Sequence, residues 1–204
     1  MKALFRKDIY EITTSLKSVI LIWLIFPIVA AINPNASYFV LYIGLLAGTL
    51  SSTLISYEER EKWPLFAGTL PVSRKQIVTE RYLLTLFLVL AATAIGGLVL
   101  LSYHLRGYSE YASIGLLVQN FSTSLVMPSL LLPFTYRYGI EKSRYIVMFL
   151  VIGIALGSQS LSSIFEKKDG IMNPTLPLIV IGCLVLFGLS YLFSVKWYQQ
   201  HDIA

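Results

Sequence analysis

Long stretches without a charged residue constrain this chain more than any other feature of its sequence. The five longest cover residues 18–57, 82–103, 111–136, 145–165 and 170–195. A helix that crosses a hydrocarbon core of about 30 Å needs about 20 apolar residues, so four stretches each fit one span and the first fits two. Asn33-Pro34-Asn35 divides that first stretch, because proline ends a helix. We therefore predict an all-α integral membrane protein with six transmembrane helices, near residues 18–33, 38–57, 82–103, 112–135, 145–163 and 175–195.

The composition excludes the soluble alternatives. Of the 204 residues, 56% are hydrophobic and 13% are charged, and the mean hydropathy is +0.71. A soluble domain carries about 25% charged residues, so an ordinary cytosolic enzyme is excluded. A disulfide scaffold is excluded as well, because Cys183 is the single cysteine.

The positions of the basic residues predict the orientation of the chain. If both termini are cytoplasmic, all but three of the 16 lysines and arginines face the cytoplasm, and the exceptions are Arg106, Lys167 and Lys168. Membrane proteins retain an excess of Lys and Arg on the cytoplasmic side. The net charge of +5 is therefore a topology signal that needs no nucleic-acid partner. We expect a multi-pass protein with both termini in the cytoplasm.

These spans organise the chain as one transmembrane domain, residues 1–204. We divide it into an amphipathic helix at 2–17, helices 1 and 2 within 18–57, a cytoplasmic segment at 58–81, helices 3 and 4 within 82–135, a cytoplasmic loop at 136–144, and helices 5 and 6 within 145–195.

Residues 2–17 predict an interfacial helix ahead of the first span. At 100° per residue, four apolar side chains fall on one narrow helix face, namely Phe5, Ile9, Ile12 and Leu16. Lys7, Glu11 and Lys17 point elsewhere. This pattern is typical of a helix that lies along the inner membrane surface. Such an elbow helix acts either as a membrane anchor or as a docking element for a cytosolic partner.

The segment between helices 2 and 3 combines charges with large apolar side chains. The run Glu58 to Lys62 is followed at once by Trp63, Leu65, Phe66 and Leu70. Pro64 suits the first position of a short helix, and Gly68 and Pro71 limit that helix to one or two turns. An aromatic helix of this kind must bury itself in the lipid interface or in another protein.

The start of helix 3 is marked by a capping box. Ser73 and Gln76 have the S-x-x-Q spacing in which each side chain satisfies the other residue's backbone N–H. Arg74 lies in the first turn, where the helix dipole disfavours a cation by about 0.3–1 kcal/mol. We expect Arg74 to interact with acidic groups, either Glu58 and Glu59 or carboxylates of a partner, or else with lipid phosphates.

Several kinds of chemistry are absent from the sequence. It contains no G-x-x-x-x-G-K-[ST] motif, so the chain cannot bind ATP through a P-loop. Glu58-Glu59 resembles the paired glutamates of intramembrane CAAX-type proteases, but Trp63 stands where their pattern requires arginine. The predicted spans contain no Asp, Glu, Lys, Arg or His, which disfavours an ion-coupled carrier.

Glycines and small polar residues inside the spans have two interpretations. Helices 2 and 5 carry Gly44-x-x-x-Gly48 and Gly153-x-x-x-Gly157, which permit close backbone approach. The neighbouring polar side chains are Ser52, Ser56, Ser158 and Gln159. These residues either tighten the packing within one chain or line a translocation path between two copies. Helix 4, with Gln119 and Asn120, is the next candidate for a path.

Taken together, these residues resemble a known family. The stretches Y-E-E-R-E-K-W-P-L-F at 57–66 and L-P-V-S-R-K-Q-I-V-T-E-R-Y at 70–82 are similar to the segment between helices 2 and 3 of small bacterial ABC-2 type permeases. These are membrane subunits of exporters of the type V, ABCG-like fold. The elbow helix and six spans extend the resemblance over nearly the whole chain. A narrower likeness is to subunits that export antimicrobial or amphipathic toxin peptides such as phenol-soluble modulins.

The resemblance implies a homodimer in the bacterial plasma membrane with two separate nucleotide-binding ATPase subunits. ATP and Mg would be held by those partners, and this chain would bind no cofactor and catalyse no reaction itself. The coupling residues would be Glu58, Glu59, Trp63, Phe66, Leu70 and Arg74. The cargo would be an amphipathic or antimicrobial peptide or a hydrophobic drug, and membrane lipid would be a further partner. The alternatives are a stand-alone carrier or channel, and a non-transporting immunity or assembly protein.

Overall fold

The described part of the chain is entirely helical. The computed structural model describes residues 2–15, 17–33, 35, 37–63, 66, 72–108, 113–149 and 175–200. Within these residues there are seven helices and no strand. They are α1 (Lys2–Ser15), α2 (Lys17–Ile32), α3 (Phe39–Arg60), α4 (Arg74–Leu105), α5 (Ile114–Tyr138), α6 (residues 140–149) and α7 (Thr175–Gln200).

The helices confirm a membrane-spanning, all-helical architecture. Four of them, α3, α4, α5 and α7, are long and apolar enough to cross a bilayer. Helices α1 and α2 meet at 73° and together form a fifth candidate. The fifth predicted span, residues 145–163, begins within α6 and lies outside the described residues from position 150 onward. The total of six spans therefore stays a prediction.

Helix α4 begins where the capping box predicts. The Ser73 side chain accepts a hydrogen bond from the Gln76 backbone N–H, and Gln76 Oε1 accepts one from the Ser73 backbone N–H at 3.0 Å. The helix has 32 residues. At 1.5 Å per residue it is about 48 Å long, well beyond the roughly 30 Å of a hydrocarbon core. Its first turns therefore extend past the membrane core and carry Glu80 and Arg81 with them.

Helix α5 lies at the centre of the bundle and packs against both α3 and α7. Tyr82 of α4 joins this group, because its hydroxyl lies 2.6 Å from Ser190 Oγ and 2.7 Å from Ser194 Oγ on α7. The chain turns from α5 into α6 at Gly139, whose φ of 77° favours glycine. Much of the remaining surface of α7 is apolar and exposed, as expected for a helix that faces lipid.

An apolar cluster holds α1 against the bundle. Ile12 packs with Leu54 of α3 and Leu88 of α4, and Phe5 packs beside them. The Phe5 ring also contacts the Phe87 ring edge-on, with centroids 6.0 Å apart. Because this contact places α1 across the ends of α3 and α4, the polar face of α1 is brought against theirs.

Candidate functional site

Six ionisable side chains from α1, α3 and α4 meet where α3 ends and α4 begins. We call this group the hub, and its members are Lys7, Asp8, Glu11, Glu58, Glu80 and Arg81. The end of the bundle that contains it is the hub end. Helix geometry explains the convergence, since Lys7 and Glu11 share one face of α1 at a spacing of four residues.

Arg81 is the centre of the hub. Its side chain is 3% exposed, and its Nη2 donates to Glu58 Oε2 at 2.7 Å. Its Nη1 lies 3.0 Å from Asp8 Oδ2, which is the ion pair that connects α4 to α1. A buried guanidinium loses its hydration, so these two carboxylates must replace the lost water contacts. Arg81 therefore holds α1 and α3 against α4 at the same time.

Lys7 connects the hub to the segment between α3 and α4. Its ammonium donates to Glu58 and lies 3.1 Å from Asp8 Oδ1 and 3.7 Å from Glu11 Oε2. The same nitrogen sits 4.1 Å from the centroid of the Trp63 ring, which is a cation–π distance. Lys7 therefore connects the Trp63 ring directly to the ion pairs of the hub.

The carboxylate oxygens of Asp8, Glu11 and Glu58 lie within 4.8 Å of one another. Such spacing suits a metal ion, but the ammonium of Lys7 already contacts all three. A cation from the chain itself thus occupies the position that a metal would take. The arrangement connects α1, α3 and α4 through ion pairs.

The hub carries more acidic groups than basic ones. Four carboxyl groups face two cations, and Glu80 is buried beside Asp8 and Arg81. Glu80 Oε1 has no hydrogen-bond partner among the described residues. Removing a cation from such a buried network leaves carboxylates without compensation, which is far costlier than losing a surface ion pair. The three helices are therefore strongly coupled at this point.

The predicted apolar face of α1 is buried only in part against the other helices. Helix α1 forms as predicted, and Ile12 is buried while Phe5 is half-buried. Ile9 is exposed, and the side chain of Leu16 lies outside the described residues. The role of α1 as an interfacial elbow stays a prediction. Helix α1 also forms an ion pair with α4, between Asp8 and Arg81, which the pattern of apolar residues did not predict.

Trp63 and Phe66 of the predicted coupling segment contact each other. Their ring centroids are 5.4 Å apart, and Phe66 is 56% exposed. Leu70 and the intervening positions lie outside the described residues, so the short coupling helix stays a prediction. Phe66 therefore presents a large part of its apolar ring at the surface beside Trp63.

Glu58 and Arg74 both contact helices that are distant in the sequence. Glu58 pairs with Lys7 and Arg81, while Glu59 is exposed near the α5–α6 turn at Gly139. Arg74 reaches across to α7 and donates to the backbone carbonyl of Gln199 at 3.0 Å. Carbonyls at a helix end lack intrahelical partners, so Arg74 caps the last turn of α7.

The glycines of α3 pack against α5 of the same chain. A Cβ atom on Gly44 would lie 1.9 Å from Asn120 Oδ1, and one on Gly48 would lie 2.6 Å from the backbone oxygen of Ser124. Of the two interpretations of these glycines, close packing within one chain therefore applies to Gly44 and Gly48. Ser52 and Ser56 are half-buried on α3. Gly153, Gly157, Ser158 and Gln159 lie outside the described residues, so the translocation path stays a prediction.

Sequence reasoning missed Asp8 and Arg81 as partners. Asp8 follows Lys7 in a polar face that resembles an ordinary solvated surface, and Arg81 resembles the last charge before a span. The available signal was the capping box at Ser73. It places Glu80 and Arg81 inside a helix and not in the loop before it. Charged residues inside a helix that enters the membrane usually pair with others.

Comparison with known proteins gives one match that covers almost the whole chain. A family model described as "ABC-2 family transporter protein" matches residues 3–199. No curated protein matches at a significant level. The matched region includes every helix that contributes to the hub.

Proposed function

The chain belongs to the ABC-2 family of transporter proteins, and we propose that it is the permease subunit of an ATP-driven exporter. Membership makes it a multi-pass membrane component of a transport system and implies an ATPase subunit as its partner.

One observation carries the proposed coupling. The hub joins α1, α3 and α4, and Lys7 connects it to Trp63 of the segment where the family is expected to contact its ATPase. Trp63 in turn contacts the exposed ring of Phe66. Two aromatic rings anchored on a rigid ionic cluster suit the transmission of force from a soluble partner to membrane helices.

The proposed cycle follows from this connection. ATP, with Mg, binds to two partner subunits and closes them, and the movement reaches the segment around Trp63. Lys7 and Arg81 join α1, α3 and α4 through ion pairs at the end next to that segment. These three helices therefore move together. The contribution of this chain is mechanical, and it binds no nucleotide itself.

A homodimer suits the size of the chain. Six helices in 204 residues are few to enclose a peptide-sized path, whereas two copies could line one on their two-fold axis. The proposed cargo is an amphipathic or antimicrobial peptide or a hydrophobic drug. The proposed location is the bacterial plasma membrane with both termini in the cytoplasm, which places the hub on the ATPase side.

Truncation of the aromatic pair tests the proposed coupling. We expect Trp63→Ala and Phe66→Ala each to weaken copurification with the ATPase subunit, or to leave ATP hydrolysis uncoupled from export. Buried aromatic anchors at interfaces contribute about 2–4 kcal/mol each, so affinity should fall at least about 30-fold. The measurements are affinity copurification and cargo-stimulated hydrolysis in proteoliposomes.

Tyr108→Ala is the matched control for this test. Tyr108 is also an exposed aromatic residue, but it follows α4 at the opposite end of the bundle. Its truncation should leave both measurements unchanged. If the Trp63→Ala, Phe66→Ala double variant assembles and exports like the parent, this segment is not the coupling element.

Cysteine labelling tests the proposed orientation. In a Cys183→Ser background, we expect single cysteines at Ser109 and Lys168 to react in intact cells with a thiol reagent that cannot cross the membrane. A cysteine at Lys142 should react only after the cells are permeabilised. Labelling of Lys142 alone in intact cells would invert the orientation and with it the side that binds the ATPase.

A further inference from the structure

A hydroxyl-lined groove of about 220 Å³ opens between α3, α5 and α6 at the hub end of the bundle. Its walls are formed by Thr49, Ser52, Thr53, Leu131, Thr135 and Ile140, with Ser143 and Arg144 on α6. Thr53 precedes the end of α3 at Arg60 by seven positions, about 10 Å along the helix axis. The groove therefore lies near the level at which lipid head groups meet the acyl chains.

Arg144 supplies the charge of the groove. Its side chain is exposed, and within the ranges that the structure describes it forms no ion pair. The groove itself contains no carboxylate, although Glu141 precedes Arg144 on the outer surface of α6. The groove therefore presents one positive charge beside a wall of hydroxyl groups and apolar side chains, and the Glu59 carboxylate lies next to the backbone of Ile140 at its edge.

The hydroxyl groups of α3 present oxygen atoms to the groove. Thr53 Oγ1 and Ser52 Oγ donate to the backbone carbonyl of Thr49, at 3.0 Å and 2.8 Å. Thr49 Oγ1 likewise donates to backbone carbonyls of its own helix. With their protons directed at the helix, these oxygens retain lone pairs that accept hydrogen bonds from a ligand.

We propose that this groove binds the head group of an anionic phospholipid that carries hydroxyl donors, of the phosphatidylglycerol type, in the leaflet at the hub end. The phosphate binds Arg144, the glycerol hydroxyls donate to Ser52 and Thr53, and the first part of the acyl chains contacts Leu131 and Ile140. Charge complementarity favours this occupant over a zwitterionic lipid, and the position beside the membrane favours a lipid over a soluble anion.

Titration of the purified full-length chain with dioleoylphosphatidylglycerol, read by native mass spectrometry, tests the proposal. We expect one tightly held lipid per chain, with weaker retention of dioleoylphosphatidylcholine. A single basic residue near anionic lipid contributes about 1 kcal/mol, so Arg144→Gln should weaken binding about fivefold. Ser52→Leu should also weaken it by filling the groove, and Arg144→Lys should keep most of it.

Lys142→Gln is the matched control, because Lys142 is an exposed basic residue on the same helix that does not line the groove. Equal losses in Lys142→Gln and Arg144→Gln would overturn the proposal in favour of general surface charge. Equal retention of phosphatidylcholine would overturn it as well. Displacement of the lipid by millimolar glycerol 3-phosphate would assign the groove to a soluble phosphate instead. Monodisperse elution of each variant shows that loss of lipid is not loss of fold.

Discussion

Gly44→Ala is expected to destabilise the folded chain severely, although it adds only one methyl group. The new Cβ would lie 1.9 Å from Asn120 Oδ1, 2.4 Å from Ser124 Oγ and 2.8 Å from the backbone oxygen of Asn120. Side-chain rotation cannot relieve the backbone contact, so α3 and α5 must separate. Overpacking of this kind typically costs about 1–3 kcal/mol, and a contact with backbone lies at the upper end. Thermal unfolding in detergent and the yield of monodisperse protein measure the effect.

Gly97→Ala is the control for Gly44→Ala. Its Cβ would meet only Leu117 Cδ2, at an ordinary 3.9 Å. We expect no loss of stability there. Adding Asn120→Ala to Gly44→Ala should restore part of the stability, because it removes the closest atom and leaves the backbone contact. A Gly44→Ala chain as stable as the parent would show that α3 and α5 do not approach this closely.

Arg81→Met is expected to weaken the attachment of α1 to the bundle. Methionine keeps much of the side-chain length but leaves Asp8, Glu58 and Glu80 buried with Lys7 as their only cation in the hub. Breaking a buried ion pair from one side costs about 3–5 kcal/mol, because the remaining charges lose their compensation. We expect a large loss of thermal stability, faster proteolysis of the N-terminal segment and loss of ATPase coupling.

Charge neutralisation should separate this effect from simple loss of packing. Asp8→Asn combined with Arg81→Met removes one uncompensated carboxylate, so stability should recover in part. Arg60→Met is the control, because Arg60 is an exposed arginine at the end of α3. If Arg81→Met were no more harmful than Arg60→Met, the hub would not hold the helices together.

The helices were predictable because their signals are local. Charge-free stretches mark the spans, and the Ser73–Gln76 capping box places the start of α4 correctly. Each signal depends on residues within one turn or one span, so no knowledge of neighbouring helices is needed. The break between α2 and α3 follows equally from the local Asn-Pro-Asn sequence.

The contacts of the candidate site were not predictable, because they join positions far apart in the chain. The sequence offered Glu58 as one of several partners for Arg74, and it gave no sign of the contact between Glu58 and Lys7 of α1. The sequence identifies Asn120 as a polar residue inside a predicted span. Its packing against Gly44 and Gly96 depends on the rotation of α5 relative to α3 and α4, which sequence periodicity does not specify.

The hub also sets the order in which the chain can mature during synthesis. Lys7 and Glu58 are separated by 51 residues. At roughly 5–20 residues per second, α1 waits about 3–10 s for Glu58 to emerge, and longer for Arg81. Until then the hub contacts available to Lys7 are those with Asp8 and Glu11 of its own helix. The N-terminal helix is made first. Its ion pair with Arg81 can form only after the start of α4 has left the ribosome. A nascent chain arrested before that point should leave α1 accessible to protease.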